Sequence, residues 1–216
     1  MHFNPQFTAS LHHVAFESRD PLRLAEFYAS AMQMELKSYK TGEFRSEGPS
    51  RRVIILSGKS KRLAYAGFAY ESSHSLDELR RHLEADGVAP VKNPSPYFET
   101  GAFAVRDPDG NVICFGIGKL ENKKLSGLHG AIQHLTLATL NVQKIFNFYQ
   151  GKLGFRLVDR VLHSDGSLAT AFLTSNREHH TLACFKSDLQ GVDHHSYEVG
   201  EWNLIKDCLL YTSDAA

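Results

Sequence analysis

Residues 13–34 read HVAFESRDPLRLAEFYASAMQM, and residues 134–155 read HLTLATLNVQKIFNFYQGKLGF. The two lines superpose without a gap at an offset of 121. Only the opening histidine and a Phe-Tyr pair (Phe27-Tyr28 and Phe148-Tyr149) are identical, yet the residue classes agree throughout. Each line opens with alternating apolar residues, the period-2 pattern of a strand. Each then passes a helix-starting residue, Asp20 or Asn141, with Pro21 in the first turn of the first copy. An apolar stripe follows at helical spacing, at Leu24, Tyr28 and Met32 or at Ile145, Tyr149 and Leu153. Gly154 is expected to end the second helix before the strand FRLVDRVL.

Two partial copies surround these. YAGFAYESSHSLDELRRHLEADGV (65–88) is a strand, a polar turn and an amphipathic helix, and VDHHSYEVGEWNLIKD (192–207) begins the same way. Short strands fill the intervals: RRVIILSG, GAFAVRD, NVICFGIG, LATAFLTS and HTLACFK. DPDGN (107–111) reads as a tight hairpin between two of them, Gly110 supplying the positive φ. The pattern is β-α-β-β-β four times over, the last copy incomplete, which predicts an α+β fold of tandem βαβββ modules. Residues 1–118 are expected to form one domain of two modules. The polar stretch 119–130 reads as a linker, and a second domain runs over 131–207.

Composition narrows the function classes. A chain of 216 residues can bury a sizeable core in one or two domains. Zero formal net charge argues against nucleic acid or an acidic membrane as the main partner. No apolar run reaches membrane-spanning length, and the start, MHFNPQFTASLHH, lacks the regions of a signal peptide. Cys114, Cys184 and Cys208 show no paired spacing, so a reducing cytoplasm is expected rather than a disulfide framework.

The repeat resembles the vicinal oxygen chelate superfamily of glyoxalases, bleomycin- and fosfomycin-resistance proteins and dioxygenases. Its two-domain layout is most similar to the type I extradiol ring-cleavage dioxygenases. That resemblance covers nearly all of the chain up to Asp207. It implies an enzyme that opens a catechol-type aromatic diol with O2 and non-haem iron(II), manganese(II) being the alternative metal. It also implies a homo-oligomer for the full-length protein. Two other readings stay open within the superfamily: a metal-free protein that binds an aromatic or an antibiotic, and a glyoxalase-like metal-dependent lyase or isomerase.

The same resemblance gives the histidines their roles. The chain holds twelve, four of them in the pairs His179-His180 and His194-His195. In the ring-cleavage family one iron ligand comes from the first strand of the third module and one from the first strand of the fourth. A glutamate from the fourth module's last strand completes the set. His134 matches the first ligand. Aligning Tyr197-Glu198 with Phe16-Glu17 puts His194 in register with His13 and His134, with Ser196 and Glu198 on its face; His195 is the alternative if the register slips by one. Two imidazoles and one carboxylate leave adjacent positions open on a non-haem iron. His180 matches the family's acid-base histidine, a role suited to a neutral imidazole. His179 and His195 read as scaffold residues, and His163, His129 and His74 as loop or linker residues.

The first two modules serve as a control. His13 occupies the ligand register, but the other two places fall on Gly67 and Cys114, too few ligands for an iron site. These modules are expected to be a structural partner. CLLYTSDAA (208–216) resembles no part of the family; a codon string for it resembles a transposase end and sequencing adaptor. The natural frame is therefore expected to leave the chain near Asp207, before the third ligand. On that expectation the chain is a truncated and inactive form of an active parent.

Overall fold

The computed structural model describes residues 9–120, 130–203 and 206. Strand β1 (Ser10–Ser18), helix α1 (Pro21–Ala31) and strands β2 (Glu35–Lys40), β3 (Glu43–Gly48) and β4 (Arg51–Ser57) form the first module. The second has β5 (Arg62–Tyr70), α2 (Ser73–Ala85), β6 (Phe103–Arg106) and β7 (Val112–Ile117). The third has β8 (Ile132–Thr139), α3 (Val142–Gly151), β9 (Arg156–Leu162), β10 (Leu168–Thr174) and β11 (Leu182–Lys186). Strand β12 (Gly191–Tyr197) opens the fourth. The result is a mixed α+β fold of tandem βαβββ modules on two sheets.

Helix starts follow the local chemistry. Asp20 Oδ1 accepts the Arg23 amide at 3.1 Å and Asn141 Oδ1 accepts that of Lys144 at 2.9 Å. Each cap is worth about 1 kcal/mol. After α3, Gly154 takes φ +74°, and 121 residues earlier Gln33 holds the same left-handed region at φ +49°. A side chain is disfavoured there by about 1–2 kcal/mol. Gln33→Gly is accordingly expected to raise stability by about 0.5–1 kcal/mol after glycine's entropy cost. Urea denaturation would check this, and a lower midpoint would refute it.

Two details depart from expectation. In the second module the strand after the helix shrinks to a single bridge, Val91 with Ala104. Pro90, Pro94 and Pro96 remove the backbone donors that a longer pairing needs. His74 lies in the first turn of α2, not in a loop, because Ser72 starts the helix inside the polar run. Its Nε2 lies 3.4 Å from Glu78 Oε1 one turn on. His163 does sit in the β9–β10 turn, donating its amide to Ser167 O at 2.8 Å. His129 and the segment 208–216 lie outside the described residues.

The sheets share one plan. The first runs β2-β3-β4-β1-β5-β7-β6 and the second β9-β10-β11-β8-β12. In each, the module's first strand lies parallel to its last (β1 with β4, β8 with β11) and antiparallel to the opening strand of the next module. Strand β5 therefore has β1 on one side and β7 on the other, whereas its counterpart β12 pairs with β8 and is an edge strand among the described residues. The helix-facing sides of both sheets join in one core that includes Phe68, Phe115, Leu135, Tyr149 and Leu173. Phe68 and Phe155 meet edge-to-face across the two halves at 5.3 Å between ring centres, worth about 0.5–1.5 kcal/mol beyond the buried area. Tyr149 Oη donates to Asp107 Oδ2 at 3.2 Å, tying α3 to the DPDGN turn. No helix among the described residues is long and apolar enough to cross a membrane.

Candidate metal centre

His134 leaves β8 on the face away from the helices. Its neighbours Leu135 and Leu137 face the shared core, as the pleat requires. Its Nδ1 lies 2.7 Å from both Gln133 Oε1 and Ser196 Oγ. Because Ser196 Oγ donates to Gln133 Oε1 at 3.0 Å, that hydroxyl is an acceptor for the Nδ1 proton. Strand β12 delivers the partner: Ser196 pairs with His134 and His194 with Thr136. A bulge between Val192 and His194 takes Asp193 out of the pairing. The Asp193 carboxylate then accepts His194 Nδ1–H at 2.6 Å, while His194 Nε2 meets Thr136 Oγ1 at 3.1 Å. In both histidines the Nδ1 proton goes to an oxygen and Nε2 is the basic nitrogen, the arrangement that prepares an imidazole to bind a metal.

The two rings are close, with centres 5.3 Å apart and planes at 81°. His180, just ahead of β11, adds a third ring 4.3 Å from that of His134. Phe172 backs it at 5.2 Å. Burial, with the nearby His180 and His194, holds His134 down to about 4. His180 is lowered as well, first by burial and then by His179 and His194. At neutral pH His134 and His180 are therefore free bases. Among the described residues no three His, Cys, Asp or Glu side chains form a complete metal-binding group. The donor set suits a borderline cation that receives a further, charged ligand from elsewhere.

His195 points to the opposite side. Its ring packs between Phe16 at 5.0 Å, Tyr197 at 5.3 Å and Tyr28 at 5.7 Å. Burial, then the nearby His194 and His134, lower its pKa to about 4. The unfolded chain takes up that proton near pH 6.5 and the folded chain only near 4. Stability is thus full above about pH 6.5 and falls as the pH drops towards 4. The urea midpoint should be lower at pH 5 than at pH 7, and His195→Phe should narrow the gap; equal midpoints would refute this. His179 is exposed, its Nδ1 3.0 Å from that of His180. Glu198 follows the end of β12, with its amide on Ala131 O at 2.8 Å.

The corresponding place on the first sheet is filled. His13, Gly67 and Cys114 lie side by side across β1, β5 and β7. The His13 ring lies over Gly67: a Cβ there would fall 2.1 Å from His13 Cε1. His13 is fully buried, with Nε2 2.8 Å from Ser95 Oγ. Tyr65, Phe98, Ala104 and Cys114 pack around it as an apolar cluster. Burial pushes the Cys114 thiol up to about 12, away from the thiolate that a metal requires. These residues do not fit a metal ion. Gly67→Ala should cost about 1–3 kcal/mol by overpacking. Adding His13→Ala should make that change nearly neutral, and additive losses in a denaturation cycle would contradict the picture.

Sequence reading found the imidazoles and, by strand parity, Ser196 on the face of His194, but missed Gln133 and Asp193, which orient them. Gln133 and Asp193 each directly precede a histidine, whereas Thr136 and Ser196 each follow one by two residues, on the face that strand parity gives them. It also missed His12, which the bulge in β1 turns inward so that its Nε2 lies 3.0 Å from Arg52 Nη1.

Residues 10–115 and 131–205 match the glyoxalase/bleomycin resistance protein/dioxygenase superfamily. The chain belongs to this superfamily. Among curated proteins it is 31% identical over 170 residues to metapyrocatechase 2 of Cupriavidus necator, covering 68% of this chain and 51% of that protein. It is 26% identical over 182 residues to 3-methylcatechol 2,3-dioxygenase of Pseudomonas putida, covering 76% and 60%. The chain thus spans about half the length of the first and somewhat more of the second. A halotolerant catechol dioxygenase superposes with a TM-score of 0.79 at 18% identity, over 96% of this chain and 76% of that one. A manganese(II)-bound glyoxalase from Novosphingobium aromaticivorans does so with a TM-score of 0.74, also at 18% identity, over 97% and 71%. At these identities the structural likenesses speak for the fold alone.

Proposed function

We propose that this chain is part of an extradiol dioxygenase that opens a catechol-type ring with O2 and iron(II), manganese(II) being the alternative metal. His134 and His194 are two of the metal ligands, and His180 handles the proton. The observation that carries this reading is the pair of imidazoles on the open face of the second sheet, each with Nδ1 tied to an oxygen and Nε2 basic. Bound iron(II) would supply coordination positions for the diol oxygens and for dioxygen.

The chain's own residues do the rest. Ser196 and Gln133 hold the His134 ring, and Asp193 holds that of His194; a metal at His194 Nε2 would take the place of the Thr136 hydroxyl. A neutral His180 beside His134 can accept the proton of a diol hydroxyl and return it to the product. Phe172 at its back limits its motion. The packed first sheet serves as a structural partner, on the reading that residues 1–118 and 131–207 are its two domains.

The third ligand has a predictable place. Gly67 pairs with Cys114 on β7 and with His13 on β1, so its counterpart is Ser196, which pairs with His134, and the counterpart of His194 is Tyr65. A strand laid along the edge of β12 as β7 lies along β5 would bring its counterpart of Cys114 beside Ser196, on the face that carries His134 and His194. The family resemblance makes that residue a glutamate, carried by a segment beyond residue 207. On this reading the 216-residue chain alone holds iron weakly and turns over no catechol. The test is to join residues 1–207 to the continuation found in the source DNA and assay catechols aerobically with iron(II). A yellow ring-cleavage product, together with a carboxylate at the Gly67–Cys114 spacing after Ser196, is expected. Another residue there and no turnover would favour a metal-free binding protein.

A further inference from the structure

A cavity of about 600 Å³ lies away from His134, His180 and His194. It opens where the start of α3, the β9–β10 hairpin and the end of β11 meet. Leu140 and Lys186 follow or end strands whose opposite ends carry His134 and His180, and Phe146 and Leu157 pack on the helix-facing core. The cavity is thus at the far end of the sheet and on its other face.

Its lining has two parts. Leu140, Val142, Phe146, Leu157, Leu162 and Leu168 form an apolar floor. Leu140 and Leu162 keep 50% and 46% of their surface exposed. Arg160, Lys186 and His163 stand on the rim, and no carboxylate lines the cavity. The nearby Asp165 is turned to the Ser167 amide and hydroxyl, at 2.9 and 2.6 Å. Asp159 accepts the Arg160 amide at 2.7 Å. Lys186 Nζ donates to Leu140 O at 2.7 Å and keeps further protons for a ligand. The Asn141 cap already takes the Lys144 amide, so the positive character comes from the side chains, not from the helix end.

We propose that this cavity is a binding site for a carboxylate-headed apolar molecule, its head on Arg160 and Lys186 and its body on the leucine floor. The volume lies within the range of small-molecule sites, about 300–1,000 Å³. An apolar floor alone would take neutral hydrophobes equally well, and two cations alone would take any anion. Their combination selects molecules with both properties, whether aromatic or aliphatic acids.

The experiment is calorimetric titration of the 216-residue chain, with a chelator present, using benzoate and octanoate against benzyl alcohol, octanol and inorganic phosphate. Saturable binding of at least one acid is expected, at least tenfold tighter than its alcohol or phosphate. Arg160→Gln with Lys186→Gln should weaken it at least tenfold without shifting the binding of the alcohols. His134→Ala should leave it unchanged, which separates this cavity from the histidine cluster. The preferred acid identifies the source class. Both replaced side chains are exposed, and Arg160→Gln alone provides a second test if the double variant fails to fold. Absence of saturable binding, phosphate binding as tight as the acids, or indifference to Arg160→Gln and Lys186→Gln would each overturn the proposal. So would loss of binding in His134→Ala with the fold intact.

Discussion

In a protein that carries the third ligand, His134→Ala is expected to abolish stoichiometric iron(II) uptake and to reduce ring cleavage to background. His134 is held on several sides: Gln133 and Ser196 both lie against its Nδ1, and the rings of His180 and His194 flank it. Losing only an outer partner of a metal ligand costs about 10–100-fold in affinity. Losing the ligand itself removes one of three protein donors and should exceed that range. The change need not harm the fold, because His134 lies on the half-open face and the core side of β8 is untouched. Anaerobic iron titration with a thermal melt would read both effects. Retention of one iron per chain with an unchanged melt would remove His134 from the site.

His180→Ala should behave differently. Iron content should stay at one per chain while turnover falls about 100-fold or more, the usual worth of a positioned general acid-base group. The separation of the two effects is the point, since His180 touches the ring of His134 but sits on its own loop before β11. A proton-handling role also predicts that the limb of the pH–rate profile belonging to this group disappears in the variant. If iron is lost together with activity, His180 is a ligand; if turnover is unchanged, it is packing.

Much of this was legible because the chain repeats. The ungapped match of residues 13–34 with 134–155 carries strand, cap, helix and stop together, and both caps and the left-handed position at Gly154 and Gln33 appear where the pattern puts them. The choice between His194 and His195 rests on parity along one strand, and strand β12 sets their side chains on opposite faces. Features that depend on departures from regularity were less readable. Alternation could not foresee the bulge that brings the Asp193 carboxylate onto His194, nor the one that turns His12 inward. The three prolines that erase a strand after α2 are visible in the sequence, but their effect depends on which pairing they interrupt. The cavity beside α3 gave no sequence signal, since its walls come from three separated segments.

The central claim is that His134 and His194, and not His195, bind one ion together. Histidine-labelled chain titrated with zinc(II), a diamagnetic stand-in for iron(II), and followed by imidazole NMR would test it directly. The resonances of His134 and His194 are expected to move together with a single Kd, with the signal at Nε2, while those of His195 stay with Phe16 and Tyr28. Movement of His195 in step with His134, or separate Kd values for His134 and His194, would contradict the site.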